Sequence, residues 1–201
     1  MKAITIWQPW ASLIMVGAKP FEFRPKSFLQ YANAPAIGER VVIHAGARPI
    51  KPAEVEDLLR RLGADDDMTG LVVDVARQLL ERVRAAHKYR GLPLAAGLGT
   101  AVLGKPRNAG TIFAGLPHDS DRGDFNWAWP LTDLQPFDAP VPARGFQGFW
   151  HWPQKTAIVV AVVDDGEASA PANVAGGVLC LEAGTYPGKM VPIAGKPRLP
   201  E

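Results

Sequence analysis

Lys19, Glu22 and Arg24 fall within six residues of one another in the stretch Gly17-Ala18-Lys19-Pro20-Phe21-Glu22-Phe23-Arg24. Two cations flanking one carboxylate suit a polar, anionic or nucleobase-like ligand. Lys19 and Arg24 would hold an anion or a polar base edge, and Glu22 would orient them or accept a proton. The structural alternative is a local ion pair closing the end of a barrel. Just upstream, Trp7-Gln8-Pro9-Trp10 offers two indoles for stacking and an amide for base recognition. Trp10 is also expected to be core, because it lies on the apolar face of a helix. His44 sits in an apolar strand and reads more readily as a satisfied core histidine than as a base.

These residues need elements to hold them. Ala3-Ile4-Thr5-Ile6-Trp7 reads as a strand, and Trp10, Leu13, Ile14 and Gly17 recur at helical spacing, predicting a short helix over 9–16 that Gly17 terminates. If Phe21 to Arg24 is extended, side chains alternate. Phe21 and Phe23 are then expected to face the core, with Glu22 and Arg24 together on the other face. Arg40-Val41-Val42-Ile43-His44-Ala45 is apolar enough to be a strand buried on both sides. Pro52 opens a helical region with Val55, Leu58, Leu59 and Leu62 on one face. After Asp65-Asp66-Asp67, Leu71, Val75, Leu79 and Val83 mark a second helix, so 53–91 reads as a helical insertion. Strand signals resume at Leu92–Leu103, Thr111–Phe113 and Asn126–Leu131. The segment Pro140 to Trp152 is extended and aromatic, and of Trp127, Trp129, Trp150 and Trp152 one of each pair should face the core. Residues 154–201 form a C-terminal extension, with Ile158–Val163 and Val178–Leu181 as candidate strands around an Ala/Gly/Pro/Ser-rich link at 166–177. Short strands, many turns and few helices predict an α+β fold, a β-barrel with packed helices.

Composition bounds the function. The chain has 201 residues, 47% hydrophobic and 21% charged, which describes an ordinary soluble globular protein. Its one cysteine, Cys180, excludes an internal disulfide and a cysteine-rich zinc site, and reads as a small buried hydrophobe. The four histidines (His44, His87, His118 and His151) are scattered, no metal-ligand spacing occurs, and no cofactor fingerprint or Gly-x-Ser-x-Gly elbow is present. No cofactor is therefore expected. Nor is a membrane contact, since no apolar run approaches spanning length, and the absence of a signal-peptide pattern makes the cytoplasm the expected compartment. The net charge of +2 hides an asymmetry: residues 1–51 carry seven Lys/Arg against two acids, and the remaining 150 balance at −3. Positive charge thus gathers around the Lys19/Arg24 stretch, as an anion-binding surface needs.

Taken in order, Lys2-Ala3-Ile4-Thr5-Ile6-Trp7-Gln8-Pro9-Trp10-Ala11-Ser12-Leu13-Ile14 and Gly17-x-Lys19-x-x-Glu22-x-Arg24 strongly resemble the ASCH domain family (activating signal cointegrator-1 homology). The Ile43-His44-Ala45 strand, Leu92-Pro93-Leu94 with Gly99-Thr100-Ala101, and Pro142-Ala143-Arg144-Gly145 with Gly148-Phe149-Trp150 follow in the family's order, so the resemblance spans about 1–153. It implies a PUA-like β-barrel with a cleft between barrel and first helix, and RNA or other nucleic acid, or a modified nucleoside, as partner. Gln8, Trp10, Lys19, Glu22, Arg24 and His44 would line that cleft. Some small bacterial members resemble amidohydrolases that deacylate N4-acylcytidine-type nucleosides, with the lysine equivalent to Lys19 catalytic. Here Glu22 stands where those have a threonine, and no downstream glutamate matches, so a catalytic Lys19/Glu22 pair is the alternative to a binding cleft. A protein-interaction module is the third possibility.

Overall fold

The structure is a computed structural model that describes residues 1–64, 69–112 and 127–153, and the backbone of two short strands further on. The chain divides into two compact units, Met1–Trp152 and Pro153–Glu201. In the first, β1 (Lys2–Ile6), α1 (Trp10–Met15), β2 (Phe21–Arg24), β3 (Arg40–Ala45), α2 (Pro52–Gly63), α3 (Val73–Ala85), β4 (Ala96–Leu103), β5 (Arg107–Asn108), α4 (Ala109–Ile112), β6 (Trp127–Pro142) and β7 (Phe149–His151) follow in order. In the second, β8 (Ile158–Val159) pairs antiparallel with β9 (Cys180–Leu181).

Seven strands form one mixed sheet in the order β2-β6-β4-β3-β1-β7, with β5 also on β6. Among the described strands only β1 and β3 are parallel, in the register Thr5 to His44; the other pairings are antiparallel. The long strand β6 makes the sheet curl. Its first residues pair with β2 and its remainder with β4, and the β4–β6 register shifts twice, at Gly97/Gly99 and at Thr100/Val102. Such bulges increase twist and bend a strand, and they accommodate the prolines that a straight central strand excludes. The result is an α+β half-barrel with helices packed on it, consistent with the PUA-like barrel that the resemblance implies.

The concave side holds the main core. Ile4, Ile6, Val41, Ile43, Leu98, Ala101 and Leu103 from the sheet meet Phe28, Trp129 and Phe149, whose rings lie edge-on or stacked at 5.6–6.1 Å. A second core lies between α2 and α3, from Val55, Leu58, Leu62, Ala76, Leu79, Leu80 and Val83. The short helix α1 belongs to both. Ala11 and Ile14 enter the barrel core, Leu13 enters the helical core, and half-buried Trp10 touches each. A one-sided apolar stripe therefore undersells α1: it is the wedge that couples sheet to helices.

Several expectations need correction. Thr111 lies in α4, not in a strand, because Asn108 holds this turn: its Oδ1 accepts from Gly110 N and its carbonyl from Thr111 Oγ1. The strand expected from Leu92 begins only at Ala96, where it meets Ala45 of β3, and His87 to Gly91 contain three residues at positive φ. On β2 the two faces are reversed. Glu22 is the buried residue, while Phe21 and Phe23 are half-buried and outside both cores. An aromatic strand face is ordinarily the core face; here a carboxylate with two cationic partners takes that place. Trp129 and Trp150 are buried and Trp127 and Trp152 half-buried, one of each pair, as expected. The acidic turn 65–67, His118, Phe113, Asn126, the link at 166–177 and the side chain of Cys180 lie outside the described residues.

Candidate functional site

Gly17 places the first charge. It has φ +78°, closing α1 with its N–H to the Ile14 carbonyl while Ala18 N–H reaches the Leu13 carbonyl. This is the paired-bond glycine terminus that satisfies the last carbonyls of a helix. Lys19 N–H also bonds the Leu13 carbonyl, so the lysine leaves the helix end in a set direction. β2 then pairs with β6, Glu22 opposite Trp129.

The three charged groups form one chain. Lys19 Nζ donates to Glu22 Oε2 at 2.7 Å and to the Phe21 carbonyl at 2.6 Å, and Arg24 Nε donates to Glu22 Oε1 at 2.7 Å. Lys19 and Glu22 are only 6% and 7% exposed. The Lys19 ammonium also lies 5.9 Å from the Trp10 ring and 5.5 Å from the Phe23 ring, an aromatic enclosure that attracts a cation. Burial alone would raise the Glu22 carboxyl, but Lys19 and Arg24, by charge and by hydrogen bond, outweigh it and hold it below its ordinary value of 4.5.

Arg24 is the member that reaches the surface, its side chain 34% exposed. Its Nη2 donates to the Thr5 carbonyl at 3.3 Å. The guanidinium lines a small cleft of about 30 Å³ with Ile4, Thr5, Tyr31, Trp129, Gly148 and Phe149. Exposed Lys26 sits 4.4 Å over the Tyr31 ring at the same edge.

The other expected site residues lie elsewhere. Gln8 is fully buried and its amide is wholly engaged: Oε1 accepts from Ser12 N–H, and Nε2 donates to Ser12 Oγ and the Pro93 carbonyl. It supplies the acceptor that an unpaired N–H in the first turn of α1 needs. His44 is buried between Thr5 Oγ1 at 3.3 Å and the Ala143 carbonyl at 2.9 Å. Burial lowers its pKa below 6.5, against the pull of the Ala143 carbonyl. Gly145 covers the ring so closely that a Cβ there would stand 2.5 Å from His44 Cε1. Trp10 does not line the small cleft; its half-buried ring stays beside the Lys19 ammonium. It is Trp7, at 55% exposed, that meets water, with the Arg48 guanidinium 4.0 Å over its ring.

Sequence reasoning missed Thr5, Tyr31, Trp129 and Phe149 as cleft residues. The last three come from β6, β7 and the loop after β2, and nothing in their local spacing announces that they meet. Thr5 is the exception. A lone hydroxyl in an otherwise apolar strand needs partners, and it finds two, His44 Nδ1 and Trp150 Nε1, while the Thr5 carbonyl accepts from Arg24. Among the described residues no group of three or more His, Cys, Asp or Glu is placed to hold a metal ion, and no helix is long and apolar enough to cross a membrane.

Fold and site together define a curled α+β half-barrel carrying a Lys–Glu–Arg chain in which Lys19 and Glu22 are buried and Arg24 reaches the surface. No family model and no curated protein matches the sequence. Among solved structures it is similar to the crystal structure of ASCH from Zymomonas mobilis, at 19% identity over 70% of this chain and 72% of that one, with a TM-score of 0.36. Two variant structures of the same protein are similar too. One shows 19% identity over 70% and 74% of the chains, TM-score 0.36; the other 18% over 77% and 88%, TM-score 0.40. At such identities no residue role passes from those proteins to this one.

Proposed function

We infer that the chain is an ASCH-type binding module that takes RNA, another nucleic acid or a modified nucleotide at the mouth of the half-barrel. The observation that carries this reading is the orientation of Arg24. Glu22 and the Thr5 carbonyl anchor its Nε and Nη2, and Nη1 has no hydrogen-bond partner among the described residues. A pre-oriented guanidinium with a donor to spare, beside aromatic rings and exposed Lys26, suits a phosphate or base-carbonyl oxygen. The cleft admits one such oxygen, not a whole base. Lys19 and Glu22 act behind it by holding Arg24 in place.

The amidohydrolase alternative is weaker on this geometry. A lysine nucleophile or base needs an accessible lone pair, whereas Lys19 Nζ is buried and donates to a carboxylate and a carbonyl. Incubation with N4-acetylcytidine, followed by absorbance, is expected to leave the nucleoside unchanged.

Fluorescence anisotropy with a labelled single-stranded RNA tests the binder. The logarithm of the affinity should fall linearly with the logarithm of salt concentration. Arg24→Gln should weaken binding by about 1–3 kcal/mol with unchanged circular dichroism. Unaltered affinity in Arg24→Gln, or no binding even at low salt, would overturn the reading.

A further inference from the structure

A groove of about 370 Å³ opens on the other flank of α1, where Ser12, Met15 and Val16 face Leu79 and Val83 of α3. Leu92, Pro93 and Leu98 form its remaining apolar wall, and its size falls within the range of small-molecule sites. Two exposed arginines line it, Arg82 from the last turn of α3 and Arg90 from the turn that follows. Neither guanidinium has a hydrogen-bond or ion-pair partner among the described residues. By contrast, Arg77 and Arg84 on the same helix pair with Asp74, Glu81 and Glu56.

Two further features mark the groove as built rather than residual. Ser12 is buried to more than nine-tenths and lines it; Gln8 Nε2 donates to its Oγ, which leaves the Ser12 O–H as a donor without a protein acceptor among the described residues. The wall carrying Arg90 is a backbone held in rare conformations, with Lys88 at φ +53°, Tyr89 at φ +54° and Gly91 at φ +119°. Non-glycine residues at positive φ are strained and persist where surrounding structure imposes them. Here that turn is tied back by Tyr89 Oη, which donates to Glu56 Oε1 at 2.6 Å, keeping Arg90 against the groove.

We propose that this groove is a second binding site, for a small amphipathic carboxylate: an apolar body between α1 and α3, and an anionic head on Arg82 and Arg90. Apolar walls with a few converging polar groups favour such a ligand over a polar metabolite. Two cations lining it, unpaired among the described residues, disfavour a cationic ligand and offer the carboxylate charge-assisted bonds. The site shares no residue with the Arg24 cleft, so it stands or falls independently of nucleic-acid binding.

The test is a titration of the full-length, isotope-labelled protein with sodium octanoate, and separately with octanol, followed by amide chemical shifts. Octanoate is expected to give saturable shifts at Met15, Val83, Ala86 and Leu92, with octanol at least about tenfold weaker. Arg82→Gln with Arg90→Gln should remove that preference with circular dichroism and melting temperature unchanged. Val83→Trp should fill the groove and abolish both responses, and Val83→Met is a milder second variant should it not fold. Equal response to octanoate and octanol, no groove shifts at millimolar ligand, or a preference that survives the double substitution would each overturn the proposal. So would the finding that a segment of this chain already fills the groove and resists displacement.

Discussion

On β2, two cations share one carboxylate, the Lys19–Glu22 pairing is buried, and the adjoining cleft measures about 30 Å³. Along α3, Arg82 and Arg90 stand exposed, without acidic partners among the described residues, on a groove of about 370 Å³. Both regions are cationic, yet they use charge differently. Paired and buried, a charge orients its neighbours and becomes costly to disturb; unpaired and exposed, it leaves stability nearly untouched and remains free for a ligand. Density of charge along the chain distinguishes neither case. The partner within hydrogen-bond reach does.

Substitutions can break this contrast. The largest effect is expected from Glu22→Ala, which leaves buried Lys19 without its carboxylate and should cost about 3–5 kcal/mol in urea denaturation. Replacing the pair together, Lys19→Met with Glu22→Leu, should recover most of that loss. A loss under about 1 kcal/mol in Glu22→Ala would mean the cluster behaves as a surface ion pair.

Next comes Gly145→Ala on the closed side, where the new Cβ would meet the His44 ring at 2.5 Å and Thr5 Oγ1 at 2.7 Å. Overpacking of that kind costs about 1–3 kcal/mol, read from the same denaturation curves. Gly17→Ala should cost about 1 kcal/mol, because no atom lies within 4 Å of the added methyl and only the φ of +78° penalises it.

Acid should act on two buried groups of the closed region, His44 and Glu22. His44 has a folded pKa below 6.5, so its contribution is complete above that pH and is lost as protons favour the unfolded chain on acidification. Glu22 follows at lower pH: its contribution is present above 4.5 and disappears as pH falls through its depressed folded value. Denaturation midpoints followed from about pH 8 to about pH 2 should therefore fall in that order. His44→Gln should flatten the upper part of the profile. The smallest effect belongs to Arg82→Gln with Arg90→Gln, within about 0.5 kcal/mol of the parent. A larger loss would show that these arginines serve the fold.

Much of the scaffold was legible beforehand. The apolar run Arg40 to Ala45 is a buried strand, and the spacing of Val55, Leu58 and Leu62 and of Leu79 and Val83 places the two helices closely. Those features are periodic and local, so burial follows from pattern. The reversed face of β2 was not legible, because alternation says which residues share a face but not which face turns inward. Gln8 reads as an amide for base recognition, and His44 more readily as a core histidine that the family resemblance would place in the cleft; what holds each in place includes a carbonyl far along the chain, that of Pro93 for Gln8 and of Ala143 for His44.

The sequence by itself determined most of the elements, the α1 terminus at Gly17 and the closeness of Lys19, Glu22 and Arg24, since these depend mainly on interactions a few residues long. Only the tertiary structure decided that Glu22 would be buried between its cations, that Arg24 alone would reach the cleft, and that Arg82 and Arg90 would border an apolar groove. Each of those outcomes depends on what strands and helices distant in the chain bring to the same place, because burial and the nearest opposite charge, not residue type, decide what a charged side chain can do.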